Sequence, residues 1–188
     1  MPKSLLDVFA LGLTLAYPPA VYFGLQHFDP RIFGALLGAM LLLRQWQSVR
    51  HFAAGLATAE WLSFAALGTY TLAIIVCNSE LLLLLYPAAV SSSLLFVFGR
   101  SLRCPPTIIE RIARLTEPEL PPQGITYTRR VTQVWCAFFV ANAVISVTTV
   151  FSAREVWLLY NGFIAYLLMG LLFAGEWLIR YRRRNTFV

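Results

Sequence analysis

The chain has 188 residues, of which 59% are hydrophobic and 13% are charged, and its mean hydropathy is +0.68. Soluble domains carry about 25% charged residues because their surface faces water. This composition therefore excludes an ordinary soluble globule and predicts a single integral membrane domain over residues 1–188. The formal net charge is +6, but no basic groove is interleaved with aromatic stacking residues, so nucleic-acid binding is not expected.

Six apolar segments follow one another along the chain. A helix needs about 20 apolar residues to cross about 30 Å of hydrocarbon. The predicted fold class is therefore all-α: a polytopic membrane helix bundle of about six transmembrane helices, with five as the alternative. The predicted spans are residues 5–26, 31–49, 56–77, 81–99, 131–151 and 156–179.

The first two segments carry features that interrupt a simple span. Pro18 and Pro19 remove two backbone donors from the middle of the first segment and must bend it, either for packing or as a hinge beside a substrate path. The second has a short apolar run, residues 32–43 or about 18 Å of helix. It spans only if Arg44 snorkels to the headgroups; a re-entrant or interfacial segment is the alternative.

Gly34 and Gly38 in the second segment have G-x-x-x-G spacing. Small residues at this spacing let two helix backbones approach closely. We therefore expect the pair to pack against another helix, and a homodimer contact is one use of such a face.

The distribution of basic residues predicts the orientation, because Lys and Arg stay in the cytoplasm during insertion. With six spans, 13 of the 15 basic residues share one side and 2 lie opposite. With five spans, Lys3 and Arg31 exchange sides and the ratio is unchanged. The loop over 100–130 and the C-terminus are thus predicted to be cytoplasmic, and the side of the N-terminus stays open. The larger group is Lys3, Arg44, Arg50, Arg100, Arg103, Arg111, Arg114, Arg129, Arg130, Arg180, Arg182, Arg183 and Arg184; the smaller is Arg31 and Arg154.

The cytoplasmic loop over 100–130 contains the pattern of a short helix. Thr107 and Glu110 fit the capping box S/T-x-x-E, which predicts a helix over about 107–116. One predicted face is apolar and the other charged, as in helices that lie in the headgroup plane. The apolar face is Ile108, Ile109, Ile112 and Leu115; the charged face is Glu110, Arg111 and Arg114.

The basic residues of this loop have two interpretations. They anchor the bundle to anionic lipid headgroups, or they dock an acidic cytoplasmic partner by complementary charge. The candidates for either role are Arg103, Arg111, Arg114, Arg129 and Arg130.

Polar residues inside the spans form stripes. A charged group in lipid costs about 2.5–3.5 kcal/mol on insertion scales and needs a reason to be there. One interpretation is a polar seam that holds a headgroup, a proton or a substrate; the other is hydrogen bonding between helices, worth under about 1 kcal/mol each. The predicted seam is Glu60, Thr71, Asn142, Ser146 and Glu176, with Asn78, Thr149 and Asn161 on the same stripes.

Catalytic patterns are scarce. His27 and His51 lie in different loops, and Cys77, Cys104 and Cys136 are isolated from one another. No G-x-S-x-G, glycine-rich phosphate loop or metal-ligand set occurs. We predict no catalytic residue, cofactor or metal, and a non-enzymatic role is favoured.

Three stretches carry a family resemblance. They are C-P-P-T-I-I-E-R-I-A-R-L from Cys104, E-L-P-P from Glu119, and Y-T-R-R-V-T-x-V-W-C-x-F-F-x-x-N-A from Tyr127. Together they resemble a group of small uncharacterised bacterial inner-membrane proteins that are often encoded beside aryl polyene biosynthesis genes, including genes for acyl carrier proteins. The resemblance implies a bacterial inner-membrane location and a multi-helix bundle, and carries over no catalytic residue.

A more distant similarity is to the intracellular septation protein A family. It covers Tyr86-Pro87, the loop, the W-x-x-F-F pattern from Trp135 and Trp157. The leading hypothesis is therefore a non-catalytic component of an envelope-lipid or aryl polyene-type lipid pathway that recruits soluble partners, such as an acidic acyl carrier protein. A small lipid or substrate transporter or flippase is one alternative. A membrane-embedded acyl or glycosyl transferase, with a cytoplasmic cavity lined by Glu60, His51 and Arg44, is the other.

Overall fold

The computed structural model of the chain describes residues 29–39 and 58–185. Within these ranges the regular structure is helical and contains no strand. The predicted span over 5–26 with Pro18 and Pro19, and the second half of the 31–49 segment, lie outside the described residues. The helices are α1 (30–39), α2 (Thr58–Cys77), α3 (Glu80–Leu84), α4 (Tyr86–Arg103), α5 (Ile108–Arg114), α6 (Pro122–Val150), α7 (Arg154–Leu159) and α8 (Ala165–Asn185), with a π-helical turn (Tyr160–Ile164) between α7 and α8.

Among the described residues, three helical stretches are long and apolar enough to cross a membrane: Ala59–Cys77, Pro122–Val150 and Arg154–Ile179. In the most apolar 18 residues of each stretch, only 17%, 33% and 22% are buried within the chain. Most of their apolar side chains therefore face outward, which is costly in water and favourable in lipid. The chain thus has the character of a helical membrane protein.

Helices α2 and α4 run antiparallel. Ser63, near the start of α2, donates to the carbonyl oxygen of Ser93 in α4 at 3.3 Å. Tyr70, near the end of α2, donates instead to the carbonyl oxygen of Leu82, just before α4, at 2.7 Å. The two helices therefore pass each other in opposite directions.

The same alternation continues through α6 and α8. The rings of Phe98 in α4 and Phe139 in α6 meet edge to face with centroids 5.1 Å apart. Trp135, one turn earlier in α6, lies with its ring centroid 4.7 Å from that of Phe173 in α8. Each long helix thus returns along the previous one, so the bundle has two ends.

We name these ends by their connections. At the hairpin end, where α2 and α6 finish, the backbone N–H of Arg31 donates to Asn78 Oδ1 at 3.1 Å, and the Arg154 guanidinium pairs with the Glu80 carboxylate. Asn78 has φ 48°, a left-handed conformation that asparagine tolerates. The loop end is where α2 starts, α4 finishes and α6 starts, and it carries α5. Among the side chains that the structure describes, six arginines lie there: Arg100, Arg103, Arg111, Arg114, Arg129 and Arg130.

The break between α3 and α4 comes from Pro87, which has no N–H to donate and disrupts the helical ladder. Two carbonyl oxygens beside the break accept side-chain hydrogen bonds, Leu82 from Tyr70 at 2.7 Å and Leu84 from Trp157 Nε1 at 3.0 Å. Neighbouring helices satisfy the freed backbone groups in this way when a membrane helix is broken.

Two buried apolar clusters hold the described helices together. One lies toward the hairpin end and contains Phe33, Leu37, Ile74, Leu83, Tyr86 and Trp157. The other lies toward the loop end and contains Ile109, Trp135 and Phe139, with Phe98 and Met169 packed against them.

The glycines of α1 face α2 of the same chain. A Cβ atom placed on Gly34 would lie 2.8 Å from Ile75 Cγ1 and 3.1 Å from Ile74 Cγ2, and one on Gly38 would lie 3.5 Å from Thr71 Cγ2. Gly34 therefore permits an approach that a side chain would prevent. Because α2 occupies this face, the structure uses the G-x-x-x-G pair within the chain.

Candidate functional site

Helix α5 is held at its start by two hydroxyl groups at the loop end. Thr107 Oγ1 accepts from the backbone N–H of Glu110 at 3.3 Å, as the capping pattern predicts. Ser101 Oγ in α4 accepts from the N–H of Ile108 at 3.2 Å and donates to the carbonyl oxygen of Phe98 at 2.7 Å. Helix α5 is therefore tied to the end of α4.

The faces of α5 differ from the predicted division. Ile109 is buried against Trp135 and Phe139, but Ile112 and Leu115, assigned to the same face, are 54% and 76% exposed. Glu110, assigned to the charged outer face, is only 5% exposed. The reason is that α5 packs sideways on α6, so Ile109 and Glu110 both point inward.

The buried Glu110 is neutralised locally. Arg114 Nε and Nη2 both donate to Glu110 Oε1, at 3.1 and 2.8 Å, and Arg114 Nη1 donates to the carbonyl oxygen of Pro118 at 3.0 Å. A buried carboxylate without such a partner would be strongly destabilising. Arg114 is thus engaged inside the loop end.

Glu60 has a partner that is distant in sequence. Arg111 Nη1 donates to Glu60 Oε1 at 2.5 Å, and the two side chains are 28% and 11% exposed. The pair joins the middle of α5 to the first turn of α2. Arg111 is therefore also engaged within the chain.

The five predicted binding arginines fall into two groups. Arg111 and Arg114 are half-buried and hold ion pairs, whereas Arg103, Arg129 and Arg130 are exposed. Arg100, which was not among the predicted five, is also exposed at this end. We call Arg103, Arg129 and Arg130 the basic surface of the loop end.

A cavity of about 400 Å³ opens beside the Glu60–Arg111 pair, and we call it the loop-end cavity. Glu60 lines it, as the transferase alternative predicts, but His51 and Arg44 of that prediction lie outside the described residues. Arg100, Ser101 and Cys104 line it and were not predicted; a Cys thiol or a helix-terminal Arg carries no local pattern that would mark it. The walls are Ala59, Glu60, Val97, Arg100, Ser101, Cys104, Pro105, Pro106, Ile108 and Arg111.

No protein-family model, curated protein or solved structure matches this chain. Function is therefore argued from the sites themselves. Within residues 29–39 and 58–185, no three His, Cys, Asp or Glu side chains are grouped to hold a metal ion.

A buried polar network links α4, α6 and the π-helical turn. Asn142 Nδ2 donates to Ser91 Oγ at 2.8 Å, and Tyr160 OH donates to Asn142 Oδ1 at 3.0 Å. Ser91 Oγ in turn donates to the carbonyl oxygen of Pro87 at 3.0 Å. Ser91 and Tyr160 were missed from the sequence, because Ser91 begins a run of three serines and tyrosine fits an apolar stripe.

One turn further along α6 a second set of bonds meets the same turn. Ser146 Oγ donates to Asn161 Oδ1 at 2.8 Å, and Asn161 Nδ2 donates to Thr149 Oγ1 at 3.1 Å and to the carbonyl oxygen of Trp157 at 3.0 Å. Asn142 and Ser146 thus form hydrogen bonds outside α6, as one of the two interpretations of the polar stripes predicts.

The structure does not bring the five predicted seam residues together. Thr71 donates within its own helix, to the carbonyl oxygen of Leu67 at 2.8 Å. Glu60 lies about 16 Å away along α2 at 1.5 Å per residue. Glu176 is half-exposed on α8. Arg180, which the i,i+4 spacing predicts as a local partner of Glu176, lies outside the described side chains.

Proposed function

We propose that this chain is a multi-pass protein of the bacterial inner membrane, with about six spans and its loop end and C-terminus in the cytoplasm. Support comes from the 13-to-2 distribution of basic residues and the rule that Lys and Arg stay inside. Arg31 and Arg154 meet other residues at the hairpin end, away from the loop-end arginines. A domain with its basic residues at one end fits this orientation.

Helix α5 then lies at the cytoplasmic interface of the bilayer. Ile112 in α5 and Leu115 directly after it are 54% and 76% exposed. In water this exposure would be unfavourable, but at the boundary of headgroups and acyl chains it anchors the helix.

The role that the loop end fits best is recruitment of an acidic soluble protein. The chain would be a non-catalytic component of an envelope-lipid or aryl polyene-type lipid pathway, and an acyl carrier protein is the partner of matching charge. The observation that carries the proposal is the division of the arginines, in which Arg103, Arg129 and Arg130 are exposed while Arg111 and Arg114 hold ion pairs. Exposed charges of one sign accelerate encounter with a partner of the other sign.

The test is recovery of purified acyl carrier protein on the full-length, detergent-solubilised chain. We expect the triple variant Arg103→Glu, Arg129→Glu and Arg130→Glu to abolish recovery at 0.1 M salt, where charges act over about 10 Å. Recovery by the wild type should fall steeply toward 1 M salt, where that distance is about 3 Å.

The single variant Arg129→Glu should also lower recovery, and a single Arg31→Glu change is its matched control. Arg31 is also exposed, but it lies at the hairpin end, so its replacement changes net charge without changing the loop end. Equal recovery by the triple variant and the wild type would refute docking through this surface.

A further inference from the structure

A second cavity lies next to the loop-end cavity, between α2 and α4. It is a groove of about 550 Å³, open on one side, and we call it the α2–α4 groove. Its walls are Leu62, Ser63, Ala66, Leu67, Tyr70, Ala89, Ser92, Ser93 and Phe96.

The two cavities are adjacent along both helices. On α2 the loop-end cavity ends at Glu60 and the groove begins at Leu62; on α4 the groove ends at Phe96 and the cavity begins at Val97. Both helices therefore pass from one cavity to the next within one turn. A single elongated molecule lying along α2 would enter both.

The groove has the dimensions of an acyl chain in one leaflet. It extends from Leu62 to Tyr70, a separation of eight positions or about 12 Å of helix. Half of a hydrocarbon core of about 30 Å is about 15 Å. Small side chains such as Ala66 and Ala89 leave the space open. The Ser63 hydroxyl donates to the carbonyl oxygen of Ser93 and is therefore already satisfied. The groove therefore presents mainly carbon to its occupant.

The loop-end cavity has the opposite chemistry. Arg100 and Arg111 contribute two positive charges to its wall and Glu60 contributes one negative charge. The Glu60 contact orients the Arg111 guanidinium, whose planar donors match the oxygen atoms of a phosphate. An anionic headgroup would complete the balance of charge in this cavity.

We propose that the loop-end cavity and the α2–α4 groove together bind a phosphate-bearing acyl lipid of the cytoplasmic leaflet, with the phosphate between Arg100 and Arg111 and one acyl chain along α2. The proposal rests on the membrane orientation above and goes beyond protein docking. It uses a different set of arginines, so the two proposals can fail separately.

Cys104 provides the readout, since it lines the loop-end cavity and is exposed. The experiment measures the rate of maleimide labelling of Cys104 in the purified full-length chain that carries Cys77→Ser and Cys136→Ser. The probe is lysophosphatidylglycerol, which has one acyl chain and one phosphate. Monoacylglycerol of the same chain length supplies the chain alone, and inorganic phosphate supplies the anion alone.

We expect lysophosphatidylglycerol to protect Cys104 and the two partial probes to protect it at least about tenfold less well. Monoacylglycerol lacks the charge-assisted contact with the arginines, and inorganic phosphate lacks the apolar chain that the groove would bury. Equal protection by inorganic phosphate would overturn the proposal by showing an anion site without a lipid. Equal protection by monoacylglycerol would overturn it by showing that the arginines are not used. Absence of protection by lysophosphatidylglycerol would overturn it as well.

Matched variants test each half of the site. Arg100→Gln should raise the half-protecting concentration about tenfold, whereas Arg103→Gln, one turn away on the same helix and outside the cavity, should leave it unchanged. Ala66→Trp should fill the groove and raise the concentration similarly, whereas the neighbouring exposed Ala65→Trp should not. The docking triple variant should lose the carrier protein and keep its lipid protection, because its three arginines lie outside the lipid site.

Discussion

Replacing Glu60 by Gln tests whether its ion pair with Arg111 holds α5 against α2. The two side chains are 11% and 28% exposed, with 2.5 Å between Glu60 Oε1 and Arg111 Nη1. Gln keeps the shape but removes the charge. Loss of one partner from a fully buried pair costs about 3–5 kcal/mol. Because Arg111 keeps some contact with solvent, we expect the free energy of unfolding to fall by about 1–2 kcal/mol.

The assay is thermal unfolding of the detergent-purified full chain, followed by the loss of its monodisperse peak in size-exclusion chromatography. For a chain of this size about 1 kcal/mol shifts the melting temperature by 2–4 °C, so Glu60→Gln should lower it by about 2–8 °C. Arg103→Gln, which changes an exposed charge on α4, is the control and should leave the melting temperature unchanged.

A double-mutant cycle isolates the pair, which matters because Glu60 and Arg111 each have other interactions as well. The loss in the combined variant Glu60→Gln, Arg111→Gln should be clearly smaller than the sum of the two single losses. If the single losses add, the two groups do not stabilise each other and the reasoning is refuted.

Two further stability predictions use the same melting assay. Gly34→Leu should lower the free energy of unfolding by about 1–3 kcal/mol through overpacking, because even a Cβ atom at this position would lie 2.8 Å from Ile75 Cγ1. Gly38→Ala should be neutral, because its Cβ atom would make an ordinary contact at 3.5 Å. Equal melting temperatures for the two variants would contradict the close approach of α1 and α2. Asn161→Leu should lower the free energy of unfolding by about 1–3 kcal/mol, since it leaves buried groups of α6 without their partner. Thr148→Val should cost little, because it removes an exposed hydroxyl that bonds within α6. A smaller loss for Asn161→Leu than for Thr148→Val would contradict the packing role of the network.

Features that depend on neighbouring residues were predictable from the sequence. The helical class follows from the apolar runs, and the start of α5 follows from Thr107 and its bond to the N–H of Glu110. Both depend on residues within a turn or two of each other. Local chemistry of this kind does not require the position of any other helix.

Partners across helices were not predictable. Glu60 and Arg111 are 51 residues apart, as are Ser91 and Asn142. Such pairs depend on how far each helix is rotated about its axis, and a sequence stripe specifies a face without saying what it meets. Glu110 shows the same limit at short range, because its charge suggests water while its rotation on α6 directs it inward to meet Arg114.

The π-helical turn at Tyr160–Ile164 determines how α8 is rotated about its axis relative to α7. On an uninterrupted α-helix, Trp157 and Phe173 are 16 positions apart and would point about 160° away from each other. The wider π-helical turn accommodates one extra residue, which reduces this angle to about 60°. Trp157 can therefore donate to the Leu84 carbonyl oxygen at the α3–α4 break while the Phe173 ring contacts Trp135. Deleting a single residue from this turn would therefore act at a distance. It would rotate all of α8 about its axis by more than a quarter revolution without altering any of its side chains.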